Sequence, residues 1–240
     1  MRAQWEGLSE RADVLLLAGD LTQHGLYDEA RVLAEEVAGL GVPVVAVLGN
    51  HDYHKCEEDR IRRVIEDAGV TVLEGESIVL YVRGRRVGIA GVKGFGGGFA
   101  GACGSEFGEE EMKAFIRHTK TCALALREHL RAIADCEVRI ALTHYAPSKT
   151  TLVGERLEIY AFLGSYLLGE AIDQVGCHLA VHGHAHLGTE HGVTSGGVTV
   201  RNVAQPVIRH AYNLYLVGSR DAAEPASPEM PVASSAQTGG

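Results

Sequence analysis

The chain has 240 residues, a net charge of −9 and 46% hydrophobic residues, enough to bury the core of one large domain. The acidic balance argues against nucleic acid or an anionic membrane as the main partner, because either would favour a basic face. No apolar run reaches the roughly 18 residues that span a bilayer, and residues 1–13 lack the apolar core of a secretory signal. Five scattered cysteines without a CxxC pair indicate reduced thiols, so we expect a cytoplasmic protein.

Four short apolar runs share one design, in which a hydrophobic stretch ends on polar residues. They are DVLLLAGD (13–20), VPVVAVLGNHD (42–52), VRIALTHY (138–145) and HLAVHGHAH (178–186). Apolar runs without alternation are typical of strands covered on both faces of a layered α/β sheet. Helical spacing of apolar residues predicts intervening helices over 27–39, 57–68 and 109–134.

The other segments predict an antiparallel element, two late strands and a tail. Residues 70–92 alternate apolar with polar side chains around a glycine turn, which indicates an antiparallel meander. Further strands are expected near 197–203 and 211–217. The last residues are rich in Ala, Ser, Pro and Gly and have little to bury. We therefore expect a domain over 1–217 and a disordered tail over 218–240.

A glycine-rich segment, 91–111, is longer than an ordinary connection. It holds seven glycines between Gly94 and Gly108, interleaved with Phe95, Phe99 and Phe107. Two interpretations stay open. The segment is either a lid over the site, with aromatic side chains on the leaving group, or a glycine-lined turn whose phenylalanines pack into the core.

The polar residues at the four strand ends are candidates for one site, because ligands gather beyond the carboxyl ends of strands in open α/β sheets. Taken singly, Asp20, Asn50 and His144 each have a structural explanation as a cap, a turn or a satisfied buried histidine. The stretch HGHAH is harder to explain structurally, because it carries three imidazoles in five residues. Alternate residues of an extended backbone face the same way, so His184 and His186 can point at one centre.

Oxygen and imidazole ligands without thiolates suit Mn, Fe, Zn or Ni. One carboxylate, one amide and three imidazoles exceed what a single catalytic ion with open positions needs. Two divalent ions that share a carboxylate fit the set better. Such a pair can hold a bridging hydroxide for in-line attack at phosphorus, without a covalent enzyme intermediate.

The motifs GDLT, GNHD, a Thr-His after an apolar strand and GHAH occur in an order and at a spacing that resemble the calcineurin-like metallophosphoesterases. They span residues 19–186. The resemblance implies a two-sheet α/β/β/α sandwich. It also implies metal-dependent hydrolysis of a phosphomonoester or phosphodiester, and the acidic charge favours a small soluble substrate.

The resemblance also implies a role for each matched residue. Five would be metal ligands: bridging Asp20, with Asn50, His144 and His184 completing one site and His186 in the other. His51 would contact the phosphate, stabilising the transition state or protonating the leaving oxygen, and Asp52 would orient its ring. His182 either supports these ligands or packs structurally, and Tyr145 should wall the pocket.

The sequence departs from the family pattern at its beginning. The family opens with an Asp-x-His motif on a first strand, whereas no His precedes Asp20 and the one earlier Asp, Asp13, opens the next strand. We therefore expect the first strand to be missing and the second metal site to be impaired. We favour a start placed too far downstream over a natural variant. Two alternatives stay open: a catalytically weak or inactive binding scaffold of this fold, and a structural metal site that holds the sheet together.

Overall fold

The computed structural model describes residues 5–218, and residues 219–240, with most of the predicted tail, lie outside this part. The helices are α1 (Leu8–Arg11), α2 (Tyr27–Val37), α3 (Glu58–Asp67), α4 (Glu110–Ala132), α5 (Tyr160–Leu163), α6 (Tyr166–Val175) and α7 (Gln205–Ile208). The strands are β1 (Leu15–Ala18), β2 (Val44–Val47), β3 (Val70–Val72), β4 (Glu76–Val82), β5 (Arg85–Val92), β6 (Gly98–Phe99), β7 (Ala102–Cys103), β8 (Val138–Thr143), β9 (Leu179–His182), β10 (His191–Val193) and β11 (Thr199–Asn202).

The strands form two main sheets. The smaller sheet is parallel, in the order β1-β2-β3. The larger sheet has six strands in the order β10-β11-β9-β8-β5-β4. Its four central strands are parallel to their neighbours, and the edge strands β4 and β10 are antiparallel. Strands β6 and β7 form a separate small hairpin within the glycine-rich segment.

The two sheets pack face to face. Val45 and Val47 of β2 share one buried cluster with Ile89, Leu142 and Val181 of the larger sheet. Because side chains alternate along a strand, the intervening residues of each sheet face outwards and are available to contact helices. This interface forms the centre of the molecule.

Helices cover the outer face of each sheet. Val44 and Ala46 pack with Ala30 of α2 and Ile61 of α3. On the other side, α4 and α6 cover the larger sheet and bury side chains such as Leu126 and Ile172. The resulting four layers confirm the predicted α/β/β/α sandwich.

The predicted helices are confirmed within two residues at each end, and 70–92 contains the antiparallel pair β4–β5. The strand expected near 211–217 is wrong, because residues 212–217 form no strand. Side chains hold this segment instead: the Tyr215 hydroxyl donates to Glu190 Oε1 at 2.6 Å, and Val217 packs on the core between the sheets.

Strand β1 lies at the edge of its sheet, since β2 is its one strand partner within residues 5–218. Leu16 and Ala18 on this strand are only partly buried. Within the described residues, β1 therefore leaves one of its backbone edges without a strand partner. No helix in the described part of the chain is both long enough and apolar enough to cross a membrane.

Candidate metal centre

The side chains that the sequence motifs predicted to lie together follow the carboxyl ends of four strands. Asp20 and Asn50 follow β1 and β2 of the smaller sheet, and His144 and His184 follow β8 and β9 of the larger sheet. Each pair of strands is parallel, so their carboxyl ends lie at one edge. The candidate centre therefore sits where the two sheets meet.

His144 is at the middle of this cluster. Its Nε2 lies 2.9 Å from Asn50 Oδ1, 3.1 Å from His184 Nδ1 and 3.3 Å from Asp20 Oδ1. Ligand atoms of Asp20, His144 and His184 all lie within 4.8 Å of one another. His186 is exposed and lies outside this three-residue group. The structure thus brings together four of the five predicted ligands.

The hydrogen bonds of the two rings decide which nitrogens carry protons. His144 Nδ1 lies 2.8 Å from the Ala18 carbonyl oxygen, and His184 Nε2 lies 3.1 Å from the Phe162 carbonyl oxygen. A carbonyl only accepts, so these two nitrogens are the protonated ones. The nitrogens that face each other therefore both present lone pairs. Together with the oxygens of Asp20 and Asn50, four atoms with lone pairs converge and no proton lies between them. Such a set of atoms can serve as the ligands of a cation.

Burial keeps both rings in the form that such a site needs. It lowers the pKa of His144 to about 3 and that of His184 to about 4, because an imidazolium would lose its hydration there. Both imidazoles are therefore neutral at pH 7, and a neutral imidazole is the metal-binding form.

Two of the cluster residues adopt backbone conformations that are uncommon outside glycine. Asp20 has φ +50° and His184 has φ +66°. Asp and His tolerate this left-handed region better than most residues, yet it is still strained, and such strain concentrates at functional sites. The adjacent glycines serve close approach: a Cβ at Gly49 would overlap the Asp20 backbone and carboxylate, and one at Gly19 would overlap the His144 ring.

Asp52 has a different position from the predicted one. Its fully buried carboxylate accepts from the backbone N–H groups of Leu21, Thr22 and Gly49 and from the Thr22 hydroxyl, at 2.6–3.1 Å. It thereby ties the GDLT loop to the GNHD loop. Since these four donors surround both carboxylate oxygens, Asp52 orients the loops rather than the His51 ring.

The His51 ring is oriented by the backbone instead. Its Nδ1 donates to the Gln23 carbonyl oxygen at 2.8 Å, which leaves Nε2 as the exchangeable position. That Nε2 lies 3.9 Å from Asp20 Oδ2, and the backbone N–H of His51 donates to Asp20 Oδ1 at 2.9 Å. A carbonyl partner has no sequence signature, so the contact with Gln23 could not be read from the motifs.

The other candidates have mostly structural positions. His182 is fully buried and bonds to the Thr151 hydroxyl at 2.8 Å, which favours the packing interpretation.

Within the glycine-rich segment, Phe99 is buried, whereas Phe107 is 86% exposed, so neither interpretation of that segment fits all its phenylalanines. Tyr145 is buried beside the centre, with its ring centroid 4.4 Å from that of His184.

Two ionisable residues near the centre, the buried Lys93 and the half-buried Glu74, were not predicted from the sequence. The Lys93 ammonium lies over the rings of Tyr53 and Tyr145, at 4.5 and 5.6 Å, and the Lys93 carbonyl accepts from the His144 backbone N–H. Glu74 accepts from the Leu48 N–H at 3.0 Å and from the Tyr53 hydroxyl at 3.4 Å. A single Lys or Glu near a strand end carries no recognisable motif.

The carboxyl group of Glu74 should make the stability of the fold depend on pH. Burial raises the pKa of Glu74 from 4.5 to about 7. Because the pKa of Glu74 is higher in the folded than in the unfolded state, the protonated carboxyl contributes to the free energy of unfolding. This contribution is fully present below pH 4.5 and is lost as the pH rises through 7. We expect Glu74→Gln, which stays neutral, to gain about 3 kcal/mol relative to wild type between pH 4 and pH 8.

The measurement is urea unfolding at several pH values in the presence of a chelator. The exposed carboxylate Glu111 offers a matched control as Glu111→Gln. Stability curves of wild type and Glu74→Gln that run parallel over this range would contradict the assignment.

Known proteins resemble this chain in fold and in sequence profile. No curated protein sequence matches the chain. Among solved structures, phosphopantetheinyl hydrolase from Mycobacterium tuberculosis is similar, with a TM-score of 0.62 and 16% identity over 82% of this chain and 80% of that protein. The protein TT1561 of Thermus thermophilus has a TM-score of 0.48 and 18% identity over 80% of this chain and 77% of that protein.

The similarity to the first of these structures concerns the fold. The family assignment comes from the sequence, because the profile of the calcineurin-like phosphoesterases matches residues 2–188. That range contains β1, β2, β8 and β9 and all four strand-end motifs. The chain belongs to the calcineurin-like phosphoesterase family.

Proposed function

We propose that this chain hydrolyses a phosphomonoester or phosphodiester with the help of divalent metal ions. The proposal rests on four atoms with free lone pairs that converge from the two sheets. One of them is His144 Nε2, and the other three, from Asn50, His184 and Asp20, lie within 3.3 Å of it. The family supports the reaction class, since calcineurin-like phosphoesterases act on phosphoesters.

Asp20, Asn50, His144 and His184 would hold the first ion, which is Mn, Fe, Zn or Ni by the chemistry of its donors. Asp20 would be shared with a second ion, for which His186 is the remaining ligand offered by this chain. When bound, such ions polarise the phosphoryl group and lower the pKa of water towards neutrality. A second site with so few ligands is weaker than the first.

His51 is proposed as the residue that contacts the phosphate and protonates the leaving oxygen. Its Nδ1 proton is committed to the Gln23 carbonyl, so only Nε2 can exchange a proton with substrate. To act as the acid, the ring would carry a proton on both nitrogens; it would give the Nε2 proton to the leaving oxygen as the bond to phosphorus breaks and return to the neutral form with its proton on Nδ1. Asp52 is proposed to act indirectly, by holding the loops that carry Asp20 and His51.

The substrate is proposed to be a small soluble phosphoester rather than a nucleic acid. The net charge of −9 supports this choice, because a polyanion would be repelled without a basic surface. The five cysteines are free thiols, which suits the reducing cytoplasm as the compartment.

The test is a panel of nitrophenyl phosphate mono- and diesters, assayed with the chelated chain and after addition of Mn, Fe, Zn or Ni. We expect turnover only with metal, and His51→Ala should retain the metal content while kcat falls by about 10²–10⁴-fold. His54→Ala is the matched control, since that ring stacks on His51 but is exposed and has no assigned role.

Three results would change these assignments. Metal binding without turnover on any ester would favour the binding scaffold instead. A large rise in melting temperature with metal, again without turnover, would favour a structural metal site. Loss of metal from His51→Ala would contradict the role given to His51.

A further inference from the structure

Four aromatic side chains form a connected group, here called the aromatic wall: Tyr145, Phe95, Phe115 and Phe162. Phe95 lies 5.7 Å from Tyr145 and 4.9 Å from Phe115, measured between ring centroids. Phe115 lies 6.3 Å from Phe162 in an edge-on arrangement. Phe95 and Tyr145 lie in the segments that follow β5 and β8, Phe115 lies on α4, and Phe162 lies on α5.

Two members of the aromatic wall contact the candidate metal centre, Tyr145 through its ring and Phe162 through its backbone carbonyl. At one end, the Tyr145 ring is 4.4 Å from the His184 ring. At the other end, the Phe162 carbonyl accepts the proton of His184 Nε2 at 3.1 Å. The aromatic wall is therefore continuous with the residues that would hold the metal.

The aromatic wall is open to solvent at the ring of Phe162. Phe162 is 60% exposed, and the nearby loops add Val153 at 60% and Leu187 at 65%. These loops are well anchored, because the Leu187 N–H donates to Glu155 Oε1 at 2.7 Å, and Gly154 packs so closely that a Cβ would overlap the Leu187 carbonyl. Phe162 on α5 and the aliphatic side chains of the anchored loops expose apolar surface that a bound apolar group would remove from water.

We infer that the aromatic wall binds the alcohol half of the substrate, and that this half carries a planar aromatic or heteroaromatic group. The inference rests on the proposed function and deepens it. The Tyr145 ring and the Phe162 carbonyl both contact the His184 ring, so an alcohol half that extends from a phosphoryl group at the centre towards His184 would meet the adjoining rings. Offset or edge-on contacts between aromatic rings stabilise binding beyond the effect of area burial, and a saturated ring cannot supply this contribution.

The test uses three non-hydrolysable phosphonates on the full chain loaded with Mn: benzylphosphonate, cyclohexylmethylphosphonate and ethylphosphonate. Calorimetry measures each Kd. We expect benzylphosphonate to bind about 10-fold more tightly than ethylphosphonate and about 3-fold more tightly than cyclohexylmethylphosphonate, since the phosphonate group is common to all three.

Phe162→Ala should remove most of the benzyl advantage and leave the Kd of ethylphosphonate unchanged. The matched control is Tyr81→Ala, because Tyr81 is 79% exposed on β4 and pairs with Arg86 at the opposite end of the sheet. This control should preserve all three affinities.

Several results would overturn the inference. If all three ligands bind equally, the aromatic wall is not a substrate site, although the proposed function stands; this would favour a protein partner on that surface. If benzyl and cyclohexylmethyl ligands bind equally, the aromatic class is wrong. A benzyl advantage that survives Phe162→Ala excludes the wall as its source. If none of the phosphonates binds to the loaded chain, the proposed function fails as well.

Discussion

His184→Ala should weaken the binding of a divalent metal by about 100-fold or more and abolish hydrolysis of phosphoesters. The substitution removes one of the four acceptors that converge on the centre, and it leaves the lone pair of His144 Nε2 without its neighbour at 3.1 Å. It also releases Tyr145, whose ring packs on His184. Metal affinity and chemistry should therefore be lost together.

Asp20→Asn separates the charge of this site from its shape. Asparagine keeps a carbonyl oxygen that can accept from the His51 N–H, as Asp20 Oδ1 does at 2.9 Å, but it removes the negative charge. We expect the same loss of metal affinity and turnover with little change in the fold. A carboxylate that binds a divalent cation can be replaced by a neutral amide only at a large cost in affinity.

Metal titration followed by calorimetry, together with turnover of a nitrophenyl ester, checks both variants. The control is His191→Ala, which removes an exposed imidazole from β10, away from the cluster. The melting temperature supplies a second readout, because saturating metal stabilises only a chain that binds it. Undiminished turnover in either variant would refute the assignment of the metal ligands.

Asp52→Ala should lower the free energy of unfolding by at least about 3 kcal/mol. The carboxylate accepts three backbone N–H groups and the Thr22 hydroxyl in a fully buried position, and alanine leaves all these donors without their acceptor. Each unsatisfied buried donor costs about 1–3 kcal/mol. The two loops that Asp52 joins carry Asp20 and Asn50, so metal affinity should fall in the same variant.

Urea unfolding with a chelator isolates the effect of Asp52 on the fold from that of the metal. Asp52→Asn is the informative companion, because it keeps the size of the side chain but turns an –NH₂ group towards backbone donors. Asp135→Ala, which removes an exposed carboxylate paired with Arg86, is the control. A stability of Asp52→Ala equal to that of the control would contradict the structural role.

The sequence was sufficient for the layered fold and for most of the candidate cluster. Unbroken apolar runs such as those of β2 and β8 identify strands covered on both faces, since burial on both sides selects apolar residues at every position. The residues that follow these strands are then brought together by a general rule of parallel sheets. Asp20, Asn50, His144 and His184 could be grouped in this way without any coordinates.

The prediction for 211–217 shows where that reasoning ends. An apolar run near Tyr215 has the composition of a strand, but side-chain contacts with Glu190 and the core hold it instead of a neighbouring strand. Whether a β-prone segment pairs with a sheet depends on which edges are free, and no local pattern contains that information.

The sequence by itself determined which side chains stand at the strand ends, because that depends on local patterns of burial and on motif spacing. Only the tertiary structure decided what these side chains contact: Asp52 meets Thr22 rather than the His51 ring, and Gln23 supplies its backbone carbonyl to that ring. It likewise brought Phe115 of α4 against Phe162 of α5. Contacts between residues so far apart in the chain follow from how sheets and helices pack, and that packing is set by the whole molecule rather than by any one segment.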